Sequence, residues 1–169
     1  VRLALPVFHV GYFKQIINIL KSICKSCSKI LLTEDDKISF LKELRKPHTD
    51  NLRRMTILKK IIKQCEKQRR CLHCGALNGS VKKAGTGSSN SALKILHVTF
   101  RWIGKKVPPE KEEWDEQFDS YLEHNLESAP FIKRAVDDMN PLKVLNLFKL
   151  IVPNELELLG INPERGGRP

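Results

Sequence analysis

The sequence predicts a mostly α-helical fold with a few short strands. Apolar residues recur at three- and four-residue spacing in several segments, and alternation at period two is confined to one short stretch. Four of the five cysteines form two Cys-x-x-Cys pairs, and the residues between the pairs are helical in period. A chain of 169 residues is long enough for one domain or two very small ones. Its 41% hydrophobic and 29% charged residues suit a folded chain rather than a disordered tail.

Phe13, Ile16, Ile17, Leu20 and Ile23 share a helical face, so a helix leads into Cys24. Thr33 followed three residues later by Asp36 reads as a capping box for a helix through about Arg45, with Ile38, Leu41 and Leu44 as its apolar stripe. Lys46-Pro47-His48 ends it. Asp50 caps the next helix, whose stripe is Leu52, Met55, Leu58, Ile62 and Cys65 and whose other faces are rich in Lys and Arg.

Residues 84–91 read as a loop without a phosphate-cradling motif, because no Gly-Lys-Ser/Thr follows. The stretch from Leu93 to Phe100 predicts a strand buried on both faces. Pro108 and Pro109 open a helix carrying Trp114, Phe118, Tyr121 and Leu122, whose acidic flanks favour a core role over base stacking. Asn140-Pro141 caps a helix with Leu142, Leu145 and Phe148 inward; Asn154 caps a shorter one that Gly160 ends. Arg165-Gly166-Gly167-Arg168-Pro169 reads as the exit from the domain, and the missing initiator Met suggests a piece of something larger.

The net charge of +11 is concentrated. Residues 1–83 hold 19 Lys/Arg against 6 Asp/Glu, and residues 84–169 hold 11 against 13. Two segments follow: a basic one, 1–83, and a mildly acidic one, 84–169. Only the first is an electrostatic candidate for nucleic acid or another polyanion, with Arg53, Arg54, Lys59, Lys60, Lys82 and Lys83 as candidate contacts; a solvated Lys-rich helix surface is the competing reading. The longest apolar runs, such as Ile30-Leu31-Leu32, are too short for a membrane span, and Arg2, Pro6 and His9 break a signal peptide.

Cys24-Lys-Ser-Cys27 and Cys71-Leu-His-Cys74 have the spacing of zinc knuckles, in which a two-residue spacer turns both thiolates toward one ion. Two knuckles complete a four-thiolate site for one structural Zn2+. The 43 residues between them would hold two helices, so the metal would join the ends of a helical hairpin. Gly75 supplies the positive φ that such turns require. Two disulfides would leave Cys65 odd, and a thioredoxin-like pair needs one motif in a βαβ setting. His73 sits inside a knuckle that already has both cysteines, and Cys65 falls on an apolar helix face as a packed thiol. No zincin, nucleophile-elbow or Walker motif is present, so no catalytic residue is assigned.

Four segments together resemble the N-terminal clamp region of the largest subunits of multisubunit RNA polymerases. They are Leu5-Pro6-Val7-Phe8-His9-Val10-Gly11-Tyr12-Phe13; Ile23-Cys24-Lys25-Ser26-Cys27 with Ile30-Leu31-Leu32; Cys71-Leu72-His73-Cys74-Gly75 with Asn78-Gly79-Ser80-Val81-Lys82-Lys83; and Asn140-Pro141-Leu142 through Phe148, continuing to Leu158-Leu159-Gly160-Ile161-Asn162-Pro163-Glu164. The compact second knuckle and the Asn-Gly-x-Val-Lys-Lys run look most like the polymerase III branch. Residues 84–135 match only weakly.

The resemblance implies a zinc-stabilised helical clamp domain with Cys24, Cys27, Cys71 and Cys74 as ligands of one structural zinc. It implies a part of a nuclear DNA-directed RNA polymerase that holds DNA and RNA–DNA hybrid in the cleft, beside the second-largest and other subunits. The family's other clamp zinc lies upstream and its catalytic Mg2+ loop downstream, so this stretch would itself be non-catalytic. The alternatives are a free-standing zinc module that binds nucleic acid, as in a transcription or RNA-processing factor, and a protein-interaction scaffold.

Overall fold

A computed structural model describes residues 3–84, 94–99 and 136–161. The predicted helix at Pro108/Pro109, the exit at 165–169 and all but the first residue of the 84–91 loop lie outside them. Charge divides the chain at 83/84. Contacts divide it into two compact units, Val1–Asn78 with Asn140–Pro169, and Gly79–Met139.

The first unit opens with a single 3-10 turn, Val10–Tyr12, in which His9 Nδ1 accepts from Gly11 N at 3.1 Å. Helix α1 (Phe13–Ser22) follows and runs straight into the first knuckle, as the periodicity predicts. It buries Phe13, Ile19 and Leu20 and packs against the third helix. The Lys21–Glu66 ion pair at 2.9 Å joins the two.

Helix α2 (Glu34–Leu44) starts where the capping box predicts: Thr33 Oγ1 accepts from Asp36 N at 3.2 Å and donates to Asp36 Oδ2 at 2.7 Å. Its inward face is corrected. Ile38 is exposed, and Lys37 takes an inward position with Leu44. The aliphatic stem of Lys37 is buried while its ammonium reaches Glu34 and Glu155, each at 2.9 Å.

Helix α3 (Asn51–Lys67) is capped by Asp50, whose Oδ1 accepts from Arg53 N at 2.7 Å. Here too the predicted stripe is displaced. Ile57, Ile61 and Cys65 are buried and Leu58 packs beside them, while Leu52 and Met55 stand exposed. Residues 57, 61 and 65 are successive i, i+4 neighbours, so they form one row down the helix. That row, with Cys24, Ile30, Leu31, Leu32, Leu44, Cys71 and Leu158, is the core.

Helix α4 (Pro141–Lys149) begins at the predicted cap, with Asn140 Oδ1 accepting from Lys143 N at 2.8 Å. Its buried residues are Val144 and Leu147; the predicted Leu142 and Leu145 are exposed and Phe148 is half-buried. The Asn154-capped helix is instead a 3-10 turn, Pro153–Glu155, preceded by Val152. Gly160 closes this region at φ +76°; a Cβ there would lie 2.8 Å from Leu58 Cδ1.

The second unit holds an antiparallel sheet of β1 (Ser80–Lys83), β2 (Ile95–Val98) and β3 (Val136–Asp138), in that order. Ser80 pairs with Val98 and Lys83 with Ile95; Leu96 pairs with Asp138. Strand β2 is the predicted one, but only Ile95 and His97 are fully buried; Leu96 and Val98 on the other face are half-buried. The end of β1 is held by Gly79 N donating to His97 Nε2 at 2.9 Å.

Candidate metal centre

The two knuckles are the same structure built twice. In the first, Cys24 N donates to Lys29 O and Ser28 N to Cys24 O, at 2.9 and 3.0 Å; in the second, Cys71 N donates to Ala76 O and Gly75 N to Cys71 O, again at 2.9 and 3.0 Å. Each hairpin is closed by a single antiparallel bridge, Ile23 with Ile30 and Arg70 with Leu77. Each first cysteine receives a backbone N–H on its sulfur at 3.4 Å, from Ser26 and from His73.

The turn needs a left-handed residue just after the second cysteine. Gly75 supplies it at φ +71° without strain, as predicted. Ser28 supplies it at φ +60° with a side chain, and its buried Oγ makes no hydrogen bond. That position was not legible as special in the sequence.

Helix α1 delivers the first knuckle and the end of α3 delivers the second, so packing of these helices brings the four cysteines together. Cys24 Sγ lies 3.6 Å from Cys74 Sγ, and Cys27 Sγ 3.6 Å from Cys71 Sγ. All four sulfurs lie within 4.8 Å of one another. A disulfide needs about 2.05 Å between sulfurs. Four thiolates about 2.3 Å from a central ion are spaced about 3.8 Å apart in a tetrahedron. The cysteines are free, and their spacing suits a shared metal ion rather than disulfides.

Their protonation is uneven. Burial pushes the Cys27 thiol up to about 12 and raises Cys71 as well. Burial acts in the same sense on Cys24, yet the backbone N–H groups of Cys27 and Ser26, with the side chains of Asn78 and Cys74, outweigh it and bring that thiol down to about 7. A dication would have to displace protons from Cys27 and Cys71.

Asn78 escaped sequence reasoning. Its buried side chain accepts from Lys25 N at 3.1 Å and donates to Cys24 Sγ at 3.5 Å and Ala76 O at 3.1 Å. In the sequence it stands four positions after the last knuckle cysteine and opens the Asn-Gly-x-Val-Lys-Lys run, but nothing local marks it as a partner of the first knuckle. Cys65 stays outside the cluster, fully buried in the core, with burial lifting its thiol to about 12. His73 is exposed.

The basic candidates fall in two places. Arg53, Lys59 and Lys60 are exposed on α3, and Arg54 is half-buried with Nη2 3.7 Å from Glu157 Oε1. Lys82 and Lys83 are exposed on β1, in the other unit. Among the described residues no helix is long and apolar enough to cross a membrane.

A family described as RNA polymerase Rpb1, domain 1, matches residues 1–169. The chain belongs to this family. Within known relatives of Rpb1 domain 1, the chain is 62% identical over 169 residues to the DNA-directed RNA polymerase III subunit RPC1 of Debaryomyces hansenii, covering 100% of this chain and 12% of that protein. The subunit of the same description from Saccharomyces cerevisiae is 62% identical, over 99% of this chain and 12% of its own length. The human one is 43% identical over 164 residues, 97% of this chain and 11% of its length. The chain therefore spans about one eighth of the curated relatives it matches.

Proposed function

We propose that this chain is a clamp segment of the largest subunit of a nuclear DNA-directed RNA polymerase III, itself non-catalytic, which helps hold DNA and the RNA–DNA hybrid in the cleft while small RNAs are transcribed. The observation that carries the reading is the four-cysteine cluster within a chain that Rpb1 domain 1 matches from end to end. The metal is a structural Zn2+ on Cys24, Cys27, Cys71 and Cys74, since a closed all-thiolate tetrahedron with Cys-x-x-Cys spacing leaves no position open for substrate. When bound, it cross-links the two ends of the α2–α3 hairpin. The catalytic Mg2+ belongs elsewhere in the full subunit.

The basic segment 1–83 meets nucleic acid, through Arg53, Lys59 and Lys60 on α3 in one unit and, taken separately, Lys82 and Lys83 on β1 in the other, with Arg54 a weaker contributor because Glu157 already faces it. The mildly acidic segment 84–169 contributes contacts to the second-largest and other polymerase subunits. The metal lets a small helical hairpin hold its shape, so that a movement elsewhere in the subunit can be transmitted to the basic surface.

The test uses assembled polymerase in which Arg53, Lys59 and Lys60 are replaced by alanine. Transcribing complexes should dissociate faster as salt is raised, with nucleotide addition by intact complexes unchanged. Equal lifetimes at every salt concentration would remove the nucleic-acid role from α3.

A further inference from the structure

We propose that Asn78 is a positioning residue of the metal centre, holding the first knuckle in register with the second and hydrogen-bonding one of the four sulfurs directly. The inference rests on reading the cluster as a metal site. Asn78 lies four residues beyond Cys74, next to the Arg70–Leu77 bridge that closes the second knuckle's hairpin, and its backbone N donates to Arg69 O at 2.7 Å. Its side chain reaches the first knuckle while keeping one bond to its own hairpin. Oδ1 accepts from Lys25 N at 3.1 Å, and Nδ2 donates to Cys24 Sγ at 3.5 Å and to Ala76 O at 3.1 Å.

The orientation of the amide follows from its partners. Lys25 N is a donor and needs the oxygen; the Cys24 sulfur and the Ala76 carbonyl are acceptors and need the two N–H groups. A flipped amide would set donor against donor on one side and acceptor against acceptors on the other. At 4% exposure the group has lost its water, so every one of these bonds replaces solvent that cannot return.

Three consequences follow from one side chain. The bond to Lys25 N fixes the tip of the first knuckle at the residue between its ligands' backbone turns. The bond to Ala76 O ties that same amide to the second knuckle. The N–H on Cys24 Sγ adds a side-chain donor to the backbone donors of Ser26 and Cys27, whereas the corresponding Cys71 is met by the backbone N–H groups of His73 and Cys74. Groups that orient the ligands of a metal commonly govern its affinity by about 10–100-fold.

Two substitutions separate a positioning role from general support. Asn78→Asp keeps the size and the acceptor for Lys25 N but replaces the donor toward Cys24 with a carboxylate oxygen, adding negative charge beside a thiolate. Asn78→Ala removes all three bonds. The full 169-residue chain would be loaded with Zn2+ and titrated with a chromogenic chelator, and loaded with Co2+ for its sulfur-to-cobalt charge-transfer absorption.

Both variants should lose about tenfold or more in metal affinity. In Asn78→Ala the charge-transfer band should move to longer wavelength, because a sulfur lone pair without its hydrogen bond lies higher in energy. Affinity within twofold of the parent in Asn78→Asp, with an unmoved band in either variant, would overturn the proposal. If Asn78→Ala fails to fold, the Asp variant decides. A parent chain that binds neither ion would instead overturn the metal reading itself, which distinguishes the two failures.

Discussion

Cys24 and Cys74 stand with their sulfurs 3.6 Å apart although they are 50 positions apart in the chain. The first follows α1 and the second follows α3, so the contact exists only because the helices between them fold back. Beneath it lies a core of Ile30, Leu31, Leu32, Leu44, Ile57, Ile61 and Cys65. An ion at the cluster would close a loop around that core, and its removal would free both ends of the hairpin.

Cys71→Ser removes one ligand and leaves three, which lowers metal affinity and with it folding. Metal binding contributes about 10–16 kcal/mol in small zinc domains. Residues from about 24 to 83 should lose their protection against amide exchange in this variant. Cys65→Ser, at a buried thiol outside the cluster, should leave one zinc per chain while lowering stability modestly. Hydrogen exchange with metal analysis on the same samples checks both.

Lys37 and Glu155, 118 positions apart, form a buried ion pair, and Glu155 Oε2 also accepts from Ile30 N at 3.0 Å. Lys37→Met leaves that carboxylate without its cation and should cost about 3–5 kcal/mol. Replacing the pair together, with Glu155→Gln added, should recover part of the loss, since Gln still offers an acceptor to Ile30. Chemical denaturation of the two variants measures the difference.

The same pair sets a pH dependence. Burial lowers the Lys37 ammonium, but its bonds to Glu34 and Glu155 outweigh this and raise it above the usual lysine value. A raised folded value means the stabilisation is complete below about pH 10 and is lost as pH climbs through the folded value. Glu34 is shifted down, first by its bond to Lys37, so its smaller share is present above the ordinary glutamate range and fades as acid reaches the folded value. The stability difference between parent and Lys37→Met should therefore be flat through neutrality and shrink at high alkaline pH. A difference that grew with alkaline pH would contradict the pairing.

The paired knuckles give two substitutions of opposite sign. Ser28 holds φ +60° and buries an unbonded hydroxyl, so Ser28→Gly should stabilise by about 1 kcal/mol. Gly75 holds φ +71°, so Gly75→Ala should destabilise by about 1 kcal/mol although nothing lies within 4 Å of the added methyl. Thermal unfolding of the zinc-loaded chains checks the signs.

What could be read in the sequence was local chemistry. The caps at Thr33, Asp50 and Asn140 act over three residues, and each appears where its side chain predicts. Cys-x-x-Cys spacing likewise identified the cluster. Which face of a helix turns inward was less legible, because α3 and α4 carry apolar residues on more than one side. Leu52 and Met55 continue a stripe that the core meets only from Ile57 onward. Lys37 was hidden because its partner lies on a distant segment, and a lysine without that carboxylate would have faced water.

The central claim is that Cys24, Cys27, Cys71 and Cys74 hold one zinc ion. X-ray absorption at the zinc edge of the purified chain, with metal content measured alongside, tests it most directly. The account predicts one zinc per chain with a first shell of four sulfurs at about 2.3 Å. A nitrogen or oxygen in that shell, or a folded chain retaining well under one zinc, would contradict it.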